Sequence, residues 1–189
     1  MTAVTGSVPT PQATGVVLTV AAGKRLIAKA VAALPEVQER LRRGMLVIAK
    51  GSTNAYVVEE LLGKRIDLLS YRSGVFLPKH PDPDRAGGKH DAMPDMVLQD
   101  GQIRRDLDRF TAVKHFQPGD LYIKGANALD YRRRKAGIMI GAANGGTIGS
   151  VMGELVGRRG QLIIPIGLEK LVYEDIDELH RRLQTPGSD

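Results

Sequence analysis

The chain has 189 residues, of which 42% are hydrophobic and 25% charged, and a formal net charge of +6. That is enough sequence for one well-filled domain without covalent staples. The absence of Cys excludes disulfide scaffolds and thiolate metal sites, and no apolar run approaches the roughly eighteen residues of a membrane span. Aromatic residues are only 4% and Trp is absent, so the positive charge comes without a stacking platform for bases. A solvated, Arg-rich surface competes with nucleic-acid binding as the reading of that charge.

Residues 1–15 read as a flexible tail without the pattern of a signal peptide, and 184–189 as a second tail. Residues 16–183 are expected to form a single domain of a cytoplasmic protein. Leu26, Ile27, Ala30, Val31 and Leu34 make a helical face, and Pro35 closes or restarts that helix. Residues 36–43 add a further helical turn or two before Gly44. The run Met45-Leu46-Val47-Ile48-Ala49 has the length of a strand. Ser52, Thr53 and Asn54 offer N-cap oxygens to a helix with Val57, Val58, Leu61 and Leu62 inward, ended by Gly63. Residues 66–71 are predicted as the next strand.

Residues 78–95 are dense in Pro, Gly and charge and lack periodicity, the mark of a functional or disordered loop. Met96-Val97-Leu98 and Gln102-Ile103-Arg104 flank Asp100-Gly101, a two-residue hairpin turn. Apolar runs at 121–123, 138–140 and 162–166 predict three more strands. Ile148, Val151, Met152, Leu155 and Val156 fall on one face of a helix. A closing helix at 175–183 turns Ile176, Leu179 and Leu183 inward. Short apolar strands alternating with helices predict an α/β domain. Its expected form is an open, mostly parallel, Rossmann-like sheet with helices on both faces and a small β-hairpin and loop insertion.

Three small-residue turns follow apolar runs. The first is Lys50-Gly51-Ser52-Thr53-Asn54, the second Lys124-Gly125-Ala126-Asn127 continuing to Asp130, the third Asn144-Gly145-Gly146-Thr147. Glycine lets the backbone approach a ligand, and a helix N-terminus adds partial positive charge, which together favour phosphate or carboxylate. The spacing is neither a P-loop nor Gly-x-Gly-x-x-Gly. In a parallel sheet the three turns would meet at the carboxyl edge, where open α/β sheets bind ligands. Read alone, each is also an ordinary turn: a helix cap at Ser52 or Thr53, or an Asn127 side chain bonded to its own backbone.

Residues 45–62 resemble the opening strand, Gly-Ser-Thr turn and helix of ribose-5-phosphate isomerase A. Residues 124–147 resemble a pattern of the wider superfamily: strand, Gly-Ala-Asp/Asn, turn, Gly-bearing strand, Gly-Thr helix start. That superfamily includes glucosamine-6-phosphate deaminase, CoA transferases, regulatory subunits of a translation initiation factor and lactate-utilisation-type proteins. The resemblance implies self-association and an anionic ligand at the Gly turns. It does not carry the reactions over. The sugar-phosphate isomerases have paired acidic residues where this chain has Gly125, Ala126 and Asn127, and neither Glu154 nor Glu169 stands in a motif like that of the CoA-transferase nucleophile.

The expectation is an enzyme-like protein, an isomerase or transferase, acting on a small phosphorylated or carboxylated metabolite without a cofactor. Amides at 52–54 and 145–147 would hold the anion, Asn127 would orient it, and Lys124, Asp130 or His90 would be the acid or base. His80 and His90 with nearby Asp match no metal motif, so no metal is expected. His115 and His180 fall in helical segments and need no special role. A non-catalytic, ligand-binding regulator of the same fold is the alternative, and a basic nucleic-acid-associated protein the third reading.

Overall fold

The computed structural model describes residues 15–72 and 93–184. Both predicted tails, apart from Gly15 and Gln184, lie outside those residues, as does most of the 78–95 loop with His80 and His90. Helix α1 (Val20–Ala32) opens on Thr19, whose hydroxyl accepts the Ala22 N–H at 3.1 Å. Helix α2 (Pro35–Arg42) restarts on Pro35, where the missing N–H is no loss. Strand β1 (Met45–Ile48) is buried throughout and leads through Gly51 into α3 (Ser52–Leu62), which Gly63 ends at φ +62.

Strands β2 (Met96–Gln99) and β3 (Gln102–Ile103) form the predicted hairpin. Asp100 and Gly101 both have positive φ, 52° and 77°, as the tight hairpin turn requires. Short helix α4 (Arg109–Ala112) is closed by a capping box between Asp108 and Thr111. Then come β4 (Leu121–Ile123), β5 (Ala128–Asp130), β6 (Lys135–Gly137), α5 (Gly146–Gly157), β7 (Gln161–Ile163) and α6 (Ile176–Leu183).

The fold is α/β with a mixed five-stranded sheet, ordered β3-β2-β1-β4-β7. Strand β1 pairs in parallel with β4, and β4 with β7, whereas β1-β2 and β2-β3 are antiparallel. Strands β5 and β6 form a separate, unpredicted two-stranded sheet, whereas the hairpin expected as an insertion, β2-β3, is part of the main sheet. Alternate residues of the central strands enter two hydrophobic clusters, as the period of two demands. Leu46, Ile48, Leu121 and Ile123 pack with Ala28, Val31, Val37 and Val57. Met45, Val47 and Tyr122 pack with Ala112, Phe116, Val151 and Leu155. Asp120, 2% exposed, ties the layers at the other end: its Oδ1 accepts the Met45 N–H and its Oδ2 the Gln117 N–H, at 2.8 and 2.7 Å.

Several expectations are corrected. Residues 66–71 form turns, not a strand: the Asp67 carboxylate accepts the Leu69 N–H, and the Ser70 hydroxyl donates to Asp67 O, so local side chains take the backbone groups a ladder would use. The strand expected at 138–140 lies earlier, at β6. The β5-β6 turn sets that register, and Met139 and Ile140 are left 46% and 51% exposed. The 162–166 run is a strand only as far as Ile163. On α5 the buried residues are Ile148, Val151 and Leu155, whereas Val156 is 67% exposed. On α6, Leu183 is exposed, and only Ile176 and Leu179 of the predicted inner face are half-buried. Ser52 and Thr53 do not cap α3, whose N-cap is Gly51 with no side-chain hydrogen bond.

Candidate functional site

Past the carboxyl end of β4, the chain leaves the sheet at Lys124. Opposite it stands the N-terminus of α5. A cleft of about 550 Å³ lies between them, lined by Lys124, Asn127, residues 139–142 and 144–148, and by Arg109 and Phe110 from α4. The second and third predicted turns therefore meet. The first does not: none of Lys50, Gly51, Ser52, Thr53 and Asn54 lines this cleft.

Each wall is fixed from the core outward. Tyr122, buried on β4, reaches across and donates its hydroxyl to Thr147 O at 2.6 Å. Burial pushes its phenol pKa up, so it stays a donor. Asn127 uses its backbone N–H to bond Gly137 O at 2.8 Å, while its side-chain oxygen accepts the Met139 N–H at 3.0 Å. It thus pins residues 138–142 as the rim instead of presenting that oxygen to a ligand. Gly145 has φ +83, and a Cβ there would lie 2.7 Å from Gly149 Cα, so this N-cap must be glycine. Two of the amides expected to hold the anion are already used: the Gly145 N–H donates to Ala142 O at 2.9 Å and the Gly146 N–H to Asn144 Oδ1 at 3.1 Å, while the N-cap residue Gly145 itself has no side chain to offer. The remaining first-turn amides face an end that carries the positive pole of a twelve-residue helix.

Two cations complete the cleft. Arg109 Nη1 lies 2.9 and 2.7 Å from the two carboxylate oxygens of Asp95, whose side chain is 4% exposed. Its guanidinium stacks over Phe110, 4.3 Å from the ring centroid, and its Nε is buried without a partner among the described residues. Lys124 Nζ donates to Gly125 O at 2.8 Å, a neutral acceptor. Burial first, and the charge of Arg109 second, push its pKa below the usual lysine value. No Asp, Glu or His is among the described residues lining the cleft.

No family model, curated protein or solved structure matches this chain. Asp130, an acid/base candidate, is 3% exposed and closes the β5-β6 turn: its Oδ1 accepts the Arg133 N–H at 3.0 Å and its Oδ2 the Arg133 guanidinium at 3.1 Å. Those bonds hold its carboxyl below the usual range, so it remains an acceptor inside the turn. Gly125 and Ala126 are half-buried beside the cleft without lining it. His90 lies outside the described residues.

The first turn serves the sheet. Asn54, fully buried, donates through Nδ2 to Ala49 O and Ile123 O, at 2.7 and 3.1 Å, and so clasps the carboxyl ends of β1 and β4. Ser52 accepts from Lys24 of α1 at 2.9 Å, and Thr53 is buried. Burial lowers the pKa of Lys24, against the opposing pull of nearby Glu169. Of the basic run at 132–135, Arg133 pairs with Asp130 and Asp175, and Lys135 with Asp177.

Sequence reasoning missed Arg109. Its neighbour Asp108 and Thr111 spell a helix start, which places α4 but not the guanidinium's destination. That destination depends on Asp95, fourteen residues away and just before β2.

Proposed function

We propose that this protein binds a small phosphorylated or carboxylated metabolite in the cleft between Lys124 and the N-terminus of α5. One observation carries the reading: Arg109, Lys124 and the N-terminus of α5 converge on one cavity, and Asp95, the carboxylate that holds Arg109, is not among its described lining. Arg109 is prepaid for this role, since Asp95 and Phe110 already fix its plane. Phe110, Met139, Ile140 and Ile148 line the same cavity and suit the non-ionic part of a ligand.

The described groups favour binding over proton transfer between carboxylates, because Asp130 is committed to its turn. The two clusters on alternate sides of β1 and β4 support the finer reading of the fold, a Rossmann-like sheet with helices on both faces. The resemblance to the ribose-5-phosphate isomerase and CoA-transferase superfamily belongs to the same proposal, for the turn design and not for the chemistry.

Thermal unfolding in the presence of inorganic phosphate, sugar phosphates, nucleotides, CoA esters and simple carboxylates tests it. A ligand at a hundred times its Kd raises stability by about 2.7 kcal/mol. The protein should be stabilised by at least one of these anions, and Gly146→Asp, which puts a carboxylate at the helix end, should abolish the effect. Failure of every anion to move the transition would end the proposal.

A further inference from the structure

Lys124 is the one amine in the described lining of the cleft. Lys29 faces Glu60, and Lys135 pairs with Asp177. Lys124 has no ion pair to a carboxylate among the described residues; its partner is a backbone carbonyl, and the guanidinium of Arg109 lines the same cleft. Half-buried at the carboxyl end of β4, it meets the two conditions that free a lysine to act as a nucleophile: desolvation and a neighbouring cation.

We propose that Lys124 forms an imine with a small aldehyde or ketone that carries a carboxylate or phosphate. The inference rests on the anion-binding reading, because Arg109 and the α5 N-terminus would seat the anionic group and leave the carbonyl to the amine. The neutral amine adds to the carbonyl carbon, and the proton lost from nitrogen goes to the carbonyl oxygen, giving a carbinolamine. That hydroxyl leaves as water together with the second proton of the nitrogen, whose lone pair closes a carbon–nitrogen double bond, so one water is released per imine formed and nothing is oxidised or reduced. Protonation of the imine nitrogen then gives a cationic adduct beside the bound anion. Asn127 is a positioning residue here: it holds the rim at Met139 and touches neither reacting atom.

Reductive trapping tests this directly. The full chain is incubated near pH 7 with pyruvate, glyceraldehyde 3-phosphate or acetone, each with cyanoborohydride, and labelled lysines are located by peptide mass mapping. Lys124 should be labelled at least about tenfold faster than exposed Lys114, which lies outside the cleft. A larger Lys124-to-Lys114 ratio with pyruvate identifies a carboxylate-bearing carbonyl, and a larger ratio with glyceraldehyde 3-phosphate a phosphorylated one. Inorganic phosphate should slow labelling of Lys124 in the unmodified protein and leave Lys114 unchanged; Lys124→Arg should lose the fast adduct.

Equal labelling of Lys124 and Lys114 by both anionic carbonyls overturns the imine. If inorganic phosphate still stabilises the protein in that case, the anion site stands and only the amine chemistry fails. If acetone labels Lys124 as fast as the anionic carbonyls and phosphate gives no thermal shift, the anion-binding reading fails with it.

Discussion

Arg109 of α4 and Asp95, just before β2, form a nearly dry ion pair, with side chains 16% and 4% exposed and Nη1 within 2.9 Å of both carboxylate oxygens. The pair joins the cleft to the antiparallel part of the sheet. Burying two charges is expensive, and breaking such a pair leaves one of them uncompensated. Arg109→Met should therefore destabilise the fold by about 3–5 kcal/mol. The double change Asp95→Asn with Arg109→Met should recover much of that loss. Urea unfolding of the two singles and the double measures the coupling; independent, additive effects would contradict it.

Tyr71 replaces part of a strand with one side chain. Its buried hydroxyl donates to Ile48 O of β1 and accepts the Met96 N–H of β2 at 2.9 Å, bridging an antiparallel pair at its end. Tyr71→Phe keeps the ring and leaves two buried backbone groups unpaired. The expected cost is about 1–3 kcal/mol, read as a lower urea midpoint with unchanged slope.

Glu59 on α3 is 4% exposed and gathers Arg25, Arg65 and the Ile66 N–H. Burial alone would raise its pKa, but the bond from Arg25, the Ile66 N–H and the two cationic charges outweigh burial and lower it. A depressed folded-state pKa gives stability that is present above the unfolded value, about 4.3, and lost as pH falls through the folded one. Glu59→Gln should be less stable at pH 7 by about 3 kcal/mol. The gap between the two proteins should close on acidification below about pH 4. A pH series of thermal unfolding checks both; a gap that widens in acid would reverse the assigned sign.

Gly145 and Gly146 both have positive φ, 83° and 60°, but only Gly145 is crowded. A Cβ on Gly146 meets nothing within 4 Å, so Gly146→Ala should cost only the left-handed backbone penalty, about 1–2 kcal/mol. Gly145→Ala must also move Gly149, and should shift the start of α5 and weaken phosphate binding more. Thermal melts with and without phosphate separate the effects; equal losses in both variants would mean that crowding at Gly149 does not matter.

Much of the architecture was legible locally. The strands at Met45 and Leu121, the Asp100-Gly101 hairpin, the helix restart at Pro35 and the start of α5 each have a short-range cause: apolar runs, paired positive φ, a missing N–H, a glycine cap. The errors at 66–71 and 138–140 share another cause. Both runs are apolar enough for a strand, but their backbone groups are taken by side chains: Asp67 and Ser70 in one, Asn127 in the other. Such competition leaves no periodic trace.

The candidate site was half legible for the same reason. Glycines and an amide-rich helix start announce themselves by residue type, so Lys124, Asn127 and residues 144–147 were found. What the sequence by itself determined was α1, α2, α3, α5 and α6, the strands β1, β2, β3, β4 and β7, and the small-residue turns, because those depend on neighbours within a few positions. The tertiary structure alone decided that the third turn meets the second and not the first, that Asp130 is spent within its hairpin, and that Arg109 joins the cleft. Those outcomes follow from strand order and buried charge pairing, which couple residues far apart in the chain.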